Sequence, residues 1–282
     1  MNLVTLNDVL PEARKNKSAI GHFNVNGQLW MESILNAGQT KKAPIIVATS
    51  DRMVDYLGGF TLIKNMLTEL VQKYQITVPV VLHLDHGQSI ERCIQAIDAG
   101  YTSVMFDGSH KPLAENIALT KQVTDYAHNK GASVEAEIGT VGGNEDGVIG
   151  GIQYADFDEC LDLSKAANID ALAAALGSVH GRYIGEPKLG FKEMTKLSEN
   201  LAIPLVLHGA SGIPADQVKK AIRLGHAKIN VNTELNIAWR KALQTELVEH
   251  PSAYEPKILL ESSRKAITQV VETKIEEFRS KE

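Results

Sequence analysis

The stretch VPVVLHLDHGQSIERCIQAIDAGYTSVMFDGS (78–109) contains one complete architectural unit. VPVVLHLD (78–85) is a short apolar run without polar alternation, the pattern of a strand buried on both faces. SIERCIQAIDAG (89–100) has helical spacing, and SVMFDGS (103–109) starts a second buried run. Strand, helix and parallel strand make a βαβ unit.

The alternation continues outward in both directions. On the N-terminal side, AIGHFNVN (19–26) and PIIVATS (44–50) are strand-like, followed by helical stretches at 28–42 and 60–75. On the C-terminal side the strand-like runs are SVEAEIG (133–139), ALAAALG (171–177), PLVLHGAS (204–211) and AKINVNT (227–233). Helical stretches at 112–130, 156–168, 191–200 and 215–225 separate them, and long helical segments close the chain. Eight such units in 282 residues predict an α/β fold of the (β/α)8 TIM-barrel type, as one domain over 1–282. An open doubly wound sheet would want a GxGxxG turn after its first strand, and GHFNVNG (21–27) has none. The helical stretch 6–17 is expected to cap the barrel bottom. The segment after 255 is expected to pack outside or reach a neighbouring subunit.

Composition narrows the function. Hydrophobic residues at 44% and charged residues at 22% exclude long disorder, collagen-like repeats and a disulfide scaffold. A net charge of −5 speaks against a nucleic-acid partner. No apolar stretch approaches the roughly 20 residues that span a bilayer, so no membrane partner is expected. MNLVTLNDVLPEARK (1–15) lacks the basic start and apolar run of a secretory signal, and a cytoplasmic protein with Cys93 and Cys160 as reduced thiols is expected.

In a barrel of this kind the chemistry sits at the C-terminal strand ends. Of nine histidines, His86 follows the third run, His180 lies just past the sixth, and His208 ends the apolar part of the seventh. A lone strand-end histidine is as a rule a hydrogen-bonded structural residue. These three share a following glycine and open onto one mouth, which points to a catalytic zinc site with an open fourth position. His22, His83, His110, His128, His226 and His250 lack that pattern; His83 is expected to face the barrel interior, and His128 and His250 the solvent.

Carboxylates gather at the same mouth: Asp85, Asp107, Glu135 and Glu137. Acids in apolar strands must be paired, protonated or metal-bound. Asp107 and Glu137 would orient the histidines or hold an alternative metal position, the competing reading being an ion pair with Lys228. HGASG (208–212) and NVNT (230–233) fall at the barrel's usual phosphate site. The glycine-rich TVGGNEDGVIGG (140–151) is expected to be mobile, with Glu145 and Asp146 as proton-transfer candidates or else plain solvated residues.

Taken in order, HLDHG (83–87), EAEIGTVGGNEDG (135–147), GSVHG (177–181), LHGASG (207–212) and KINVNTE (228–234) resemble the class II, zinc-dependent ketose-phosphate aldolases. The likeness covers essentially the whole chain. It implies a (β/α)8 barrel, a homodimer or homotetramer, and one Zn2+ per subunit on His86, His180 and His208. It makes Asp85 the catalytic proton donor and Glu145 the acid that shuttles the carbon-bound proton. Gly181, the segment Gly209, Ala210 and Ser211, and the segment Asn230, Val231, Asn232 and Thr233 would bind dihydroxyacetone phosphate. Asp107 and Glu137 would form a secondary position for a second monovalent or divalent cation.

Cleaving a carbon–carbon bond beside a ketone leaves an enediolate, whose charge zinc stabilises. The other aldolase strategy, a Schiff-base lysine, has only Lys228 to draw on, near the start of the eighth run, so metal is favoured over imine. SDRMVDYLGGF (50–60), MFDGSH (105–110) and LHGASGIPADQVKKAIRLGHAKIN (207–230) resemble in particular the inositol-breakdown branch, which acts on 6-phospho-5-dehydro-2-deoxy-D-gluconate. Fructose-1,6-bisphosphate or tagatose-1,6-bisphosphate is the alternative substrate, and a metal-dependent phosphosugar isomerase or epimerase the alternative class. Arg52 or Arg182 is the candidate contact for the aldehyde-end anion. Fructose-bisphosphate relatives often have a proline and then a lysine after the position of Gly181, where this chain has Arg182 and Ile184.

Overall fold

The computed structural model describes residues 3–145, 148–150, 153–181 and 187–279, without the side chains of 144, 145 and 148–150. Eight parallel strands close into a barrel: β1 (Ile20–Asn24), β2 (Ile45–Ser50), β3 (Val80–Gly87), β4 (Ser103–Phe106), β5 (Ser133–Ile138), β6 (Ala171–Ala174), β7 (Leu205–Leu207) and β8 (His226–Val231). The barrel closes where β1 pairs with β8, with Ile20 opposite Lys228 and His22 opposite Asn230.

The helices are α1 (Leu6–Lys15), α2 (Gln28–Lys41), α3 (Asp51–Tyr56), α4 (Phe60–Lys73), α5 (Ile90–Ala99), α6 (Leu113–Asn129), α7 (Phe157–Ala167), α8 (Phe191–Asn200), α9 (Ala215–Arg223), α10 (Thr233–Glu249), α11 (Pro256–Leu259) and α12 (Glu261–Phe278). α5 shows why such segments turn helical. Ser89 caps its N-terminus by accepting from Arg92 N, Cys93, Ala96 and Ile97 face the sheet, and Gly100 ends it in the left-handed conformation.

Inside the barrel, Ile20, Ile46, Val81, Ala171, Ala173, Val206 and Ala227 form a core of their own. Leu6, Val9, Leu10 and Ala13 of α1 pack into that core, so α1 plugs the bottom as expected. α12 packs outside the barrel against α2 and α10. Both cysteines are buried and unpaired. Among the described residues no helix is long and apolar enough to cross a membrane.

Three expected strands are shorter than their apolar runs. The ladder stops at Phe106, Ala174 and Leu207, where the chain leaves the sheet to build the mouth. The glycine-rich segment read as a loop contains two short antiparallel strands, Gly142–Glu145 and Val148–Gly150, and the first pairs with Val179–His180. Glycine has little strand propensity, which hid them.

Candidate metal centre and active site

Side chains alternate faces along a strand, so Asp85 and His86 ought to point apart. The end of β3 breaks the rule. His86 is left-handed at φ 50°, and pairing with β4 slips between Leu84 opposite Val104 and Gly87 opposite Phe106. Three steps on β3 against two on β4 make a bulge, which re-aims side chains. A non-glycine residue there is strained by about 1–2 kcal/mol. In return Asp85 stays wholly buried inside the barrel while the half-buried His86 reaches the mouth.

His208 arrives directly from the end of β7, but His180 belongs to the short strand Val179–His180 outside the barrel. Two glycines let its backbone come close. A Cβ on Gly143 would lie 2.1 Å from the His180 carbonyl oxygen, and one on Gly209 would lie 2.3 Å from that of Val179. Both glycines are also left-handed, at φ 102° and 61°. No other residue type fits either position.

His86, His180 and His208 then converge, each with a candidate ligand atom within 4.8 Å of the others'. His86 Nδ1–H donates to Asp107 Oδ2 at 2.9 Å, and His208 Nε2–H donates to Glu135 Oε1 at 2.9 Å. A neutral imidazole carries one N–H, and an ionised carboxylate only accepts. His86 Nε2 and His208 Nδ1 therefore present lone pairs to each other, 3.1 Å apart. Glu137 Oε2 lies 3.6 Å from His208 Nδ1 and has no hydrogen-bond partner. Facing lone pairs beside an unpartnered carboxyl oxygen fit a bound cation. Three imidazoles oriented by carboxylates fit a divalent ion of the zinc type.

Electrostatics agree with that fit. Burial holds His208 at about 4, so it is neutral at neutral pH and available as a ligand. Burial would raise Asp107, but hydrogen bonds from His86 and Ser109 outweigh it and hold the carboxyl below the usual range. Burial, then the nearby Asp107, pushes Glu137 well above that range. The competing reading, an ion pair of Asp107 or Glu137 with Lys228, is not what forms: Asp107 pairs with His86, and Lys228 pairs with Glu135 at 2.9 Å.

Asp85 lies beneath the histidines. Asn24 Nδ2 donates to its Oδ2 at 2.9 Å, and Asn230 Nδ2 approaches its Oδ1 at 3.4 Å. Burial would raise this carboxyl, yet His22, His86 and Lys228 offset it and keep the group ionised. His22, His83 and Asp85 form a second close cluster. There His22 Nε2–H donates to Asn24 Oδ1 at 3.1 Å, and His83 Nδ1 bonds Ser103 Oγ at 2.8 Å. Burial and then the Lys228 charge lower both imidazoles, so this cluster is a hydrogen-bonded core.

A cavity of about 320 Å³ opens beside the triad. His86, His180, Asp107, Glu137, Arg52 and His110 are among the residues that line it. Arg52 is the one Lys or Arg lining it among the described residues. The expected phosphate segments lie away from it, on the β7 and β8 side. Ala210 and Val231 place their side chains in the core, and Asn230 turns inward to Lys228 and Asp85. Ser211 Oγ accepts from Glu234 N at 3.4 Å, and Asn232 Oδ1 accepts from Asn236 Nδ2 at 3.1 Å. Gly181 and Thr233 are half-buried. The side chain of Glu145, and Asp146, Arg182 and Ile184 entirely, lie outside the described residues. The sequence reading missed Asn24; an amide within the apolar run of β1 is the signal that could have found it.

A parallel barrel with three converging imidazoles that fit a cation, above a buried carboxylate, is the architecture of a barrel enzyme. The chain belongs to the class-II fructose-bisphosphate aldolase family, whose family model matches residues 4–282, and it is an aldolase, a carbon–carbon lyase. It is 58% identical over 280 residues to the 6-phospho-5-dehydro-2-deoxy-D-gluconate aldolase of Bacillus subtilis (strain 168), covering 99% of this chain and 97% of that one. It is 51% identical over 281 residues to the fructose-bisphosphate aldolase of Geobacillus stearothermophilus, covering 99% and 98%. Among solved structures, the YdjI aldolase from Escherichia coli K12 superposes with a TM-score of 0.85 at 34% identity, covering 98% of this chain and 97% of that one.

Proposed function

We propose that this protein is a zinc-dependent aldolase that cleaves 6-phospho-5-dehydro-2-deoxy-D-gluconate to dihydroxyacetone phosphate and malonate semialdehyde. The observation that carries the substrate choice is that Arg52 is the one cation on the cavity wall among the described residues. A carboxylate end carries one negative charge and suits one guanidinium, whereas a second phosphate would call for more. The name shared by the relatives at 54–58% identity supports the same choice.

The substrate's phosphate would sit on the β7 and β8 loops, with Gly181, Gly209–Ser211 and Asn230–Thr233, its ketone at the triad, and its carboxylate at Arg52 or Arg182. A divalent ion on His86, His180 and His208, one per subunit, would supply a Lewis acid for the ketone oxygen. Asp85 accepts the hydroxyl proton in cleavage and returns it in condensation. Because Asp85 is wholly buried, that transfer requires the substrate to enter as far as the barrel mouth or the carboxylate to leave Asn24. Glu145 delivers the proton to carbon, and Asp107 and Glu137 orient the ligands or take a second cation. Leu247, Val248, Tyr254 and Ile258 are exposed apolar residues at the end of α10, in the connection after it and on α11, which supports a homo-oligomer of dimer or tetramer size. A cytoplasmic location suits the reduced thiols.

The test couples dihydroxyacetone phosphate release to NADH oxidation, with zinc-loaded protein, on this substrate and on fructose-1,6-bisphosphate, with and without EDTA. The expected result is EDTA-sensitive turnover with kcat/KM at least about tenfold higher on the carboxylate-ended substrate. Preference for the bisphosphate would establish the second reading. Turnover untouched by EDTA would overturn the metal role, and no release from any phosphoketose would favour an isomerase or epimerase.

A further inference from the structure

Lys228 on β8 is a fully buried ammonium. It donates to Glu135 Oε2 at 2.9 Å and Oε1 at 3.2 Å, and to Asn230 Oδ1 at 2.9 Å. Replacing a buried ion pair by apolar residues is often neutral or stabilising, so stability is a weak reason for this one. Its position, spanning β5 and β8 beneath the mouth, suggests another.

An ammonium donates and never accepts. That one-sidedness fixes the direction of two hydrogen-bond chains. The Asn230 amide could turn either end toward Asp85. Lys228 takes its oxygen, which leaves the nitrogen to face Asp85 Oδ1 at 3.4 Å. Across the barrel, Lys228 keeps Glu135 an acceptor, and Glu135 takes the N–H of His208 Nε2 at 2.9 Å. His208 Nδ1 is thereby left as the lone pair that faces His86 Nε2.

We propose that Lys228 is a positioning residue that sets hydrogen-bond direction at both halves of the active site, at Asp85 through Asn230 and at His208 through Glu135. The inference rests on the proposed roles of Asp85 and His208. Lys228 acts only through Glu135 and Asn230, the two side chains it bonds.

The test compares Lys228→Met and the double variant Lys228→Met/Glu135→Gln with the parent. A purely structural ion pair would lower the unfolding midpoint in the single variant only, and kcat per bound zinc would stay at the parent value in both. The expected result is that the double variant regains stability while both variants lose about 10–100-fold in kcat per bound zinc. KM stays within about threefold, and zinc affinity, read by competition with a chromophoric chelator, falls about tenfold. A kcat per bound zinc and a zinc affinity both near the parent values, in either folded variant, would overturn the proposal. If neither variant folds, histidine 15N NMR of the unaltered metal-free protein at pH 8 decides. A proton on His208 Nε2 supports the assignment and a proton on Nδ1 sinks it. Lack of aldol cleavage by the parent would instead count against the functional reading, and the zinc affinities and the tautomer would still judge Lys228.

Discussion

At the scale of single residues, the active site depends on side chains whose neighbours leave them one choice. Asp107 and Glu135 fix which nitrogen of His86 and His208 carries the proton, and Asn24 and Asn230 hold Asp85 from two sides. Asp85 contributes nothing to the triad, so metal binding and proton transfer should separate by mutation. Asp85→Ala is expected to lower kcat by about 10³-fold and to leave zinc content at the parent value. Metal analysis of the purified variant beside its turnover checks this, and loss of zinc would make Asp85 a ligand. The convergence of the three histidines was readable in sequence because each is followed by glycine at or just past an apolar run. The left-handed bulge at His86 was not, since alternation predicts a regular strand and nothing in LDHG marks the slip.

At the scale of elements, α1 does more than cover the barrel bottom. Its Arg14 guanidinium donates to the carbonyls of Ser198 and Leu201 at 2.8 and 2.7 Å, and also to those of Ala202 and Ile203. These include carbonyls that the C-terminus of α8 leaves without helical partners. A charged donor serving several such groups is worth more than a neutral bond, and Arg14→Ala should lower stability by about 2–3 kcal/mol. Urea unfolding reads that loss, while kcat at 25 °C should not change, because the bottom of the barrel is remote from the chemistry. The eight strands were legible because burial on both faces writes itself as continuous apolar runs. Their ends were not: ALAAALG stays apolar for seven residues, yet the ladder stops at Ala174. An apolar residue looks the same whether it pairs in a sheet or packs under a loop.

At the scale of the whole molecule, acid should unfold the protein in part through one histidine far from the site. His226 opens β8, is fully buried, and donates Nδ1–H to the Ala221 carbonyl at 3.0 Å. Burial, offset in part by that bond, leaves it at about 4. Its unfolded value is about 6.5, so the unfolded chain takes up the proton first. The stability it contributes is complete above pH 6.5, drains away as pH falls towards 4, and amounts to about 3 kcal/mol at most. Urea midpoints between pH 7 and 4.5 should fall less steeply in His226→Asn than in the parent, by up to one proton's worth of slope. Equal slopes would mean that His226 is not the group concerned.

The small sheet beside the barrel has a consequence of its own. Two of the three histidines are anchored in the barrel wall, but His180 is hydrogen-bonded to the strand that runs into Glu145. An ion gripped by all three would staple that strand to the barrel, so metal loading and the docking of Gly142–Glu145 become one event. Amide exchange at Gly142, Gly143 and Val179 should then slow severalfold when zinc is added to stripped protein, while β3 exchanges at its former rate. On this arrangement the metal helps to build the machine as well as to run it.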